Sequence, residues 1–436
     1  MARAPFVRDG RWIRDARGRV RIFHGVNVSG RTKMPPFVPF EDPAPLDRLQ
    51  TWGFNVLRLL VIWEALEPER GAVDEDYLAR ISAIVEAAAA RGLYVVVDIH
   101  QDLYARSLGG DGAPAWAVKH HGTPACGRNW FLHYARSTAV QRSFAAFWAD
   151  EDGLRTAYLA TVRALVRWMN RHDNVIGYDL FNEPMTALAA VASGRFERET
   201  LRDFHADCAR VLEGEADGAP RLQLIEPTPI VAFGLPCRLQ HRHGPSAVFA
   251  PHLYDALAIT TGRYRRRFSN APKAVATLAA WARRHDMPLF IGEFGALNGV
   301  GAADAMLEDQ CQRLDRHFAS WTAWHYDTSG EDWNDEGASI VDPHGGERPF
   351  TGALIRPYPT AIAGTPVRLD SRPPVWTLAY EASGSAPTEI VVPPRWSASP
   401  EIEVDGGSVS TAEPSARVSV EAAAGAKVTL RIRRTP

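Results

Sequence analysis

Little in this sequence is extreme, and its absences narrow it first. Only four cysteines, Cys126, Cys208, Cys237 and Cys311, occur in 436 residues, with no C-x-x-C pair and no histidine at ligand spacing. A disulfide framework or thiolate metal site is therefore not the organising device, and free buried thiols in a reducing compartment are expected. Nowhere do 18 apolar residues run together, so no membrane-spanning helix is expected. The opening "MARAPFVRDGRW" has no apolar core of a secretory signal, which makes cytoplasmic location the expectation. Neither sign of charge dominates: Lys+Arg 49 against Asp+Glu 51 leaves -2. That balance gives no electrostatic case for a nucleic-acid partner. Seven arginines fall in the first 21 residues, but Asp9 and Asp15 are mixed among them, as on a solvated hairpin face. No H-E-x-x-H and no carboxylate cage appears, and "KHH" (119–121) and "HRH" (241–243) read as solvated loops. No metal and no cofactor are expected.

What is there is a long alternating rhythm. After a small hairpin at 6–23, with "RDGR" and "DARGR" as turns, β-rich runs recur at 22–28, 54–60, 93–99, 175–181, 222–226, 247–252, 288–292 and 320–326. Helical stretches separate most of them, at 74–91, 154–171 and 272–285. The first carries Tyr77, Leu78, Ile81, Ile84 and Val85 at i, i+3/i+4 spacing. Eight β-α units with near-continuously apolar strands predict an α/β fold, a (β/α)8 TIM barrel. A doubly wound open sheet would want a glycine-rich phosphate turn after its first strand, and "HGVNVSGR" supplies none. Past Gly364 the runs become short and alternating (375–381, 387–392, 401–404, 417–421, 427–433), separated by Gly, Ser and Pro. That pattern predicts an all-β sandwich. The expected division is 1–363, catalytic barrel with its N-terminal hairpin, and 364–436, C-terminal β-sandwich.

In such a barrel, functional groups sit where strands end. The run ends here carry Arg58; Asp98, His100 and Asp102; Asn182 and Glu183 in "GYDLFNEPM"; His252 and Tyr254; Glu293; and Trp324 and Tyr326. A strand ending in an amide, an acid and a proline is awkward unless its tip does chemistry. Glu183 and Glu293, on the fourth and seventh strands, would face one bound molecule from opposite sides. Cleaving a glycosidic bond with retention needs that pair, ~5–5.5 Å apart, one protonating the leaving oxygen and one attacking the anomeric carbon. The small neighbours in "IGEFG" leave room for Arg58 and Tyr254 to donate to Glu293, the expected nucleophile. Glu183 should be held protonated by apolar surroundings and the opposing charge. Asn182 is placed for the 2-hydroxyl of the sugar, and Trp324 for stacking on its face. Asp98 reads equally as scaffold or substrate contact.

"NVLRLL", "GYDLFNEPM", "PHLYD", "IGEFG" and "WTAWHY" resemble the signature positions of glycoside hydrolase family 5 over roughly residues 15–360. The resemblance implies Glu183 as acid/base and Glu293 as nucleophile, with Arg58, His100, Asn182, His252, Tyr254 and Trp324 in support. "VNVSGRTKMPPF" (26–37), "DIHQDLYAR" (98–106), "GDGAPAWAV" (110–118) and "IRPYPTAIAG" (355–364) further resemble its endoglycoceramidase branch and the related glucosylceramidases. By that likeness Lys33, His100 and Asp102 grip the sugar hydroxyls.

Apolar stretches after the strand tips, at 34–40, 185–192 and 227–236, fit a groove for an acyl tail, each buried CH₂ being worth ~0.8 kcal/mol. "TGRYRRRF" (261–268) reads as a solvated helix start or, alternatively, as a contact with anionic membrane. The expected activity is retaining hydrolysis of the β-bond between a sugar, glucose first, and ceramide. A steryl or aryl β-glucosidase, an endo-β-1,4-glucanase and a catalytically silent carbohydrate-binding barrel are the alternatives.

Overall fold

A computed structural model of the chain describes residues 6–127, 129–240, 244–296, 300–330, 333–413 and 417–435. The expected loop at 241–243 lies outside the described residues. Eight parallel strands form the central sheet: β1 His24–Val28, β2 Val56–Ile62, β3 Tyr94–His100, β4 Val175–Asp179, β5 Leu222–Ile225, β6 Ala247–Phe249, β7 Phe290–Phe294 and β8 Ser320–Tyr326. Their order is β7-β8-β1-β2-β3-β4-β5-β6. Parallel bridges Phe249↔Leu289 and Leu253↔Phe294 bring β6 against β7 and all but close the barrel.

Alternation along each strand divides the side chains. On β2, Leu57, Leu59 and Val61 join the large cluster that packs the barrel against its helices, while Val56 belongs to the barrel interior. Arg58 shares the parity of Val56 and so faces inward. The helix Glu75–Ala89 buries Tyr77, Leu78, Ile81, Ile84 and Val85, the predicted stripe, and Asp74 caps it by accepting the Tyr77 amide at 2.8 Å. Each such side chain contributes about 1.5–3 kcal/mol when fully buried.

On β7 the alternation breaks. Strict period two would send Phe290, Gly292 and Phe294 inward and Glu293 out. The register against β8 shifts between Ile291 and Phe294, and Phe294 instead joins the outer cluster. An irregularity of this kind re-aims the neighbouring side chain, and Glu293 enters the mouth.

The remaining strands build two antiparallel sheets. One, of seven strands, contains the N-terminal hairpin (Phe6–Asp9, Trp12–Asp15, Val20–Arg21) together with Tyr358–Ile362, Thr388–Val391, Arg417–Glu421 and Ser408–Glu413. The other joins Gly364–Asp370, Val375–Ala382, Lys427–Arg433 and Glu401–Asp405. Trp376, Leu378, Ile390, Val418, Leu430 and Ile432 pack between them with Val20 and Ile22. The hairpin, grouped by sequence with the barrel, is thus hydrogen-bonded into the C-terminal sheet through Ala361↔Arg21 and Ile362↔Val20. Its Phe6 plugs the barrel floor, edge-on to Phe23 and Tyr94.

The four cysteines are unpaired. Cys208 and Cys311 are buried as expected, but Cys126 is exposed and Cys237 half-buried. Among the described residues no helix is long and apolar enough to cross a membrane.

Candidate active site

Arg58 lies at the centre of the barrel mouth, wholly buried, and its five N–H donors are committed. Nη1 donates to Asn27 Oδ1 at 2.9 Å and Glu293 Oε1 at 2.8 Å. Nη2 donates to Asn182 Oδ1 at 2.8 Å, Asp179 Oδ2 at 2.9 Å and Glu226 Oε1 at 3.0 Å, and stands 3.1 Å from Asp98 Oδ1. One guanidinium thus holds four carboxylates in register. Removing one partner of a buried ionic network typically costs about 3–5 kcal/mol. Arg58→Leu is expected to lose stability of that order in urea unfolding, and a loss below about 1 kcal/mol would contradict this reading.

Glu183 follows β4 with φ 44°, a left-handed conformation rare for a non-glycine residue. Such a residue costs on the order of 1–3 kcal/mol and persists where neighbours over-determine it. Here Gln101 Nε2 donates to the carbonyls of Asn182 at 2.7 Å and Glu183 at 3.2 Å, and the Glu183 amide donates to Glu226 Oε2 at 2.9 Å. The side chain, 13% exposed, turns toward Glu293. A carboxylate oxygen of each lies within 4.8 Å of the other, with a nitrogen of His252 inside the same limit of both. His252 Nδ1 is 2.9 Å from Glu183 Oε1 and 3.4 Å from Glu293 Oε2. Tyr254 Oη donates to Glu293 Oε2 at 3.0 Å. Gly292 makes this possible, since a Cβ there would sit 3.1 Å from His252 Nε2.

The electrostatics follow from this packing. Burial raises the pKa of Glu183 and the Glu293 charge adds to it, while His252 pulls the other way. Burial disfavours charge on His252, but Glu226 and Glu293 outweigh it and hold the imidazole well above its usual range. The two acids therefore differ in setting. Glu293 accepts from Arg58 and Tyr254, whereas Glu183 is buried beside His252.

A second polar cluster borders the first. Lys33 Nζ donates to Asp102 Oδ2 at 2.6 Å and lies 3.7 Å from Glu336 and 3.9 Å from Asp111. It is boxed by Trp333, Trp324 and Trp130 at 3.9, 4.6 and 5.8 Å to the ring centroids. Burial would lower the ammonium, but Asp102, Glu336 and Asp111 raise it instead. His100 bridges Asp98 (2.7 Å) and Asp102 (3.3 Å); against its burial, these acids lift it to about 10. Asp98 is thus a scaffold partner. The carboxylates of this cluster already face Lys33, and the Glu183–Glu293 pair already faces His252, so neither group argues for a metal ion.

A cavity of about 370 Å³ begins at His100, Asp102, Glu183, Tyr254, Glu293, Trp324 and Glu336. It continues between Phe131, Leu132, Met185, Leu188, Ile230 and Phe233. Leu188 (40%) and Phe233 (37%) bring it to the surface. The apolar stretches at 185–192 and 227–236 supply part of this wall, and Phe131 and Leu132, from a segment not singled out in the sequence, supply the rest. The stretch 34–40 supplies none of it: Val38 is buried, and Phe37 and Phe40 pack on the barrel's outer core. "TGRYRRRF" is no helix start either. Arg266 pairs with Asp309, Phe268 is 62% exposed, and the helix begins at Ala271.

Of the residues chosen from sequence, Lys33, Arg58, Asn182 and His252 stand behind the cavity wall rather than on it. Asn182 Oδ1 accepts from Arg58 and Nδ2 donates to Gln101 O at 3.1 Å, which among the described residues leaves one amide hydrogen for a ligand. Tyr326 lies elsewhere, donating to Pro45 O. Sequence reasoning passed over Glu226, Asp179, Gln101, Asp111 and Glu336. Glu226 was within reach, because it ends the run "LQLIE" as Glu183 follows its own. Asp111 and Glu336 lie in aperiodic loops with no such signal.

The sequence profile named Cellulase (glycosyl hydrolase family 5) matches residues 22–330, and the glycoside hydrolase family 5 C-terminal domain matches 356–432. The chain is 29% identical to endoglycoceramidase I of Rhodococcus hoagii, covering 98% of this chain and 87% of that one. It is 30% identical to a glucosylceramidase of Cryptococcus neoformans, over 42% of this chain and 34% of the other. The solved lactosyl-enzyme intermediate of endo-glycoceramidase II from Rhodococcus sp. superposes with a TM-score of 0.82 at 27% identity, covering 98% and 100% of the two chains.

Proposed function

Because the chain belongs to glycosyl hydrolase family 5, we propose that it hydrolyses the β-bond between a single sugar and ceramide, with retention. The observation that carries this is the pair Glu183 and Glu293, oxygens within 4.8 Å, at the head of a cavity whose outward wall is apolar. Such closeness suits a nucleophile and an acid/base acting on one anomeric centre. Glu293 attacks C1, while Glu183 gives its proton to the departing ceramide oxygen. Glu183 then takes a proton from the water that frees the sugar.

The lipid reading rests on the cavity wall and on what the relatives are called. A ceramide tail laid between Leu132, Met185, Ile230 and Phe233 would trade water for apolar contact. The single-sugar reading rests on the polar end, where Lys33, Asp102 and Glu336 are linked beneath Trp130 and Trp333. Glucose is chosen because relatives include a glucosylceramidase. Exposed Leu188, Phe233, Leu235 and Phe268, with Arg265 and Arg267 beside the last, suit a brief contact with anionic membrane.

A substrate panel tests these statements together. Glucosylceramide, lactosylceramide and a cello-oligosaccharide are compared, the lipids in neutral and in anionic vesicles. Glucosylceramide is expected to turn over at least tenfold faster than lactosylceramide, faster still in anionic vesicles, and the oligosaccharide to remain intact. Preferred cleavage of the oligosaccharide would reject the lipid reading, and equal turnover of lactosylceramide would reject the single-sugar one.

A further inference from the structure

Glu226 is buried at the end of β5, and neither of its oxygens reaches the cavity, yet both touch the machinery around Glu183. Oε2 accepts the backbone amide of Glu183 at 2.9 Å, pinning the left-handed turn that aims the side chain. Oε1 accepts from Arg58 at 3.0 Å and lies 3.2 Å from His252 Nε2, an ionic contact rather than an aligned hydrogen bond. The other ring nitrogen of His252 is the one 2.9 Å from Glu183 Oε1. Glu226 therefore reaches Glu183 by two routes, one through the backbone and one through an imidazole.

Building on the glycosidase reading, we propose that Glu226 is a positioning residue that sets the aim and the proton-donating strength of Glu183 through the Glu183 amide and through His252. The groups facing it are few. Arg58 comes from β2, Asp179 from β4, Glu183 from the segment after β4 and His252 from the segment after β6. His205, on the helix Arg202–Gly214, lies 2.9 Å from the Glu226 carbonyl oxygen, and burial holds that imidazole down at about 4. Glu293 lies on the far side of His252.

Burial and the Asp179 charge push the Glu226 carboxyl up, while His252 and Arg58 pull it down. Both of its oxygens accept, one from Arg58 and one from the Glu183 amide, and that geometry favours the ionised form. A carboxylate against Nε2 in turn favours a proton on both ring nitrogens. An imidazolium whose Nδ1–H faces Glu183 stabilises the carboxylate that Glu183 becomes once its proton has gone to the leaving group. Burial makes Glu183 a weaker acid, and His252 counters it. With the Glu226 charge removed, His252 surrenders its proton more readily. Glu183 then loses a neighbouring positive charge, becomes the weaker acid and stays protonated to higher pH.

The experiment compares Glu226→Gln with wild type on two aryl β-glucosides, one with a poor phenolate leaving group and one with 2,4-dinitrophenolate, which departs without a proton. The variant is expected to lose at least tenfold more kcat/KM on the first than on the second, and its basic limb to move up by about one pH unit. Equal losses on both substrates, or a limb that stays put or moves down, would overturn the proposal. Should the variant fail to fold, the wild-type protein carrying ¹⁵N-histidine gives a second reading. His252 is expected to be doubly protonated at about pH 8, and a neutral ring there would equally overturn it. Failure of the glycosidase reading looks different: wild-type enzyme would leave both glucosides intact.

Discussion

Glu293→Gln is expected to lower hydrolysis by a factor on the order of 10⁴ or more in kcat. The change is nearly isosteric: the amide oxygen can still accept from Arg58 Nη1, now 2.8 Å from Oε1, while the NH₂ in place of Oε2 can donate to Tyr254 Oη, now 3.0 Å away. What it loses is a nucleophile, since an amide cannot form the glycosyl ester through which retention proceeds. The check is covalent as well as kinetic. A 2-deoxy-2-fluoroglucoside with a good leaving group should add one sugar mass to the wild-type peptide containing Glu293 and nothing to the variant. A variant within tenfold of wild type, or a label on another residue, would remove Glu293 from the proposed role.

Glu183→Ala is expected to lose about 10²–10⁴-fold on substrates with poor leaving groups, the usual range for general acid catalysis. Its loss should shrink on activated aryl glucosides until the second step limits turnover. Azide fits the space left by the carboxylate and needs no base, so it should restore that step and yield a β-glycosyl azide. The pH dependence has a definite sign. Burial and the Glu293 charge raise the pKa of Glu183, so its proton is kept to higher pH than on an ordinary carboxyl and is lost above the raised value. Wild-type kcat/KM should therefore fall on the alkaline side, and in the Ala variant that limb should disappear. A surviving limb, or azide without effect, would assign the acid/base role elsewhere.

Much of the architecture was legible because strand and helix periods are local. The apolar runs gave the eight strands in order, and Tyr77, Leu78, Ile81, Ile84 and Val85 gave one helix its buried face. The gathering of polar residues at run ends was legible for the same reason, since the barrel sends every strand end to one face. Residue parity on β7 was not. Counted from Phe290, Glu293 points away from the mouth, and only the shifted register against β8 turns it in. Pairing between distant segments was equally hidden. Arg58 meets residues 121, 168 and 235 positions away, and no local pattern says which acids will share it. The role given to 34–40 failed because apolar sequence says that a segment will be covered, not by what. Val38 is buried in the barrel's outer core and Phe37 and Phe40 pack on it, while Met34 stays exposed.

The seven-stranded sheet that joins the N-terminal hairpin to strands after residue 357 works as a clasp. Val20–Arg21 leads directly into β1 and takes its edge partner from Tyr358–Ile362, more than 300 residues later. Phe6, on the far arm of the same hairpin, stoppers the barrel. Deleting the C-terminal strands would therefore unbutton the cylinder from beneath. It would strip Val20, Ile22 and Phe318 of their cover and free the arm that seals the floor. The trailing module is a hem sewn into the enzyme's first strands, and it cannot be exchanged as a cassette without re-cutting the beginning of the chain.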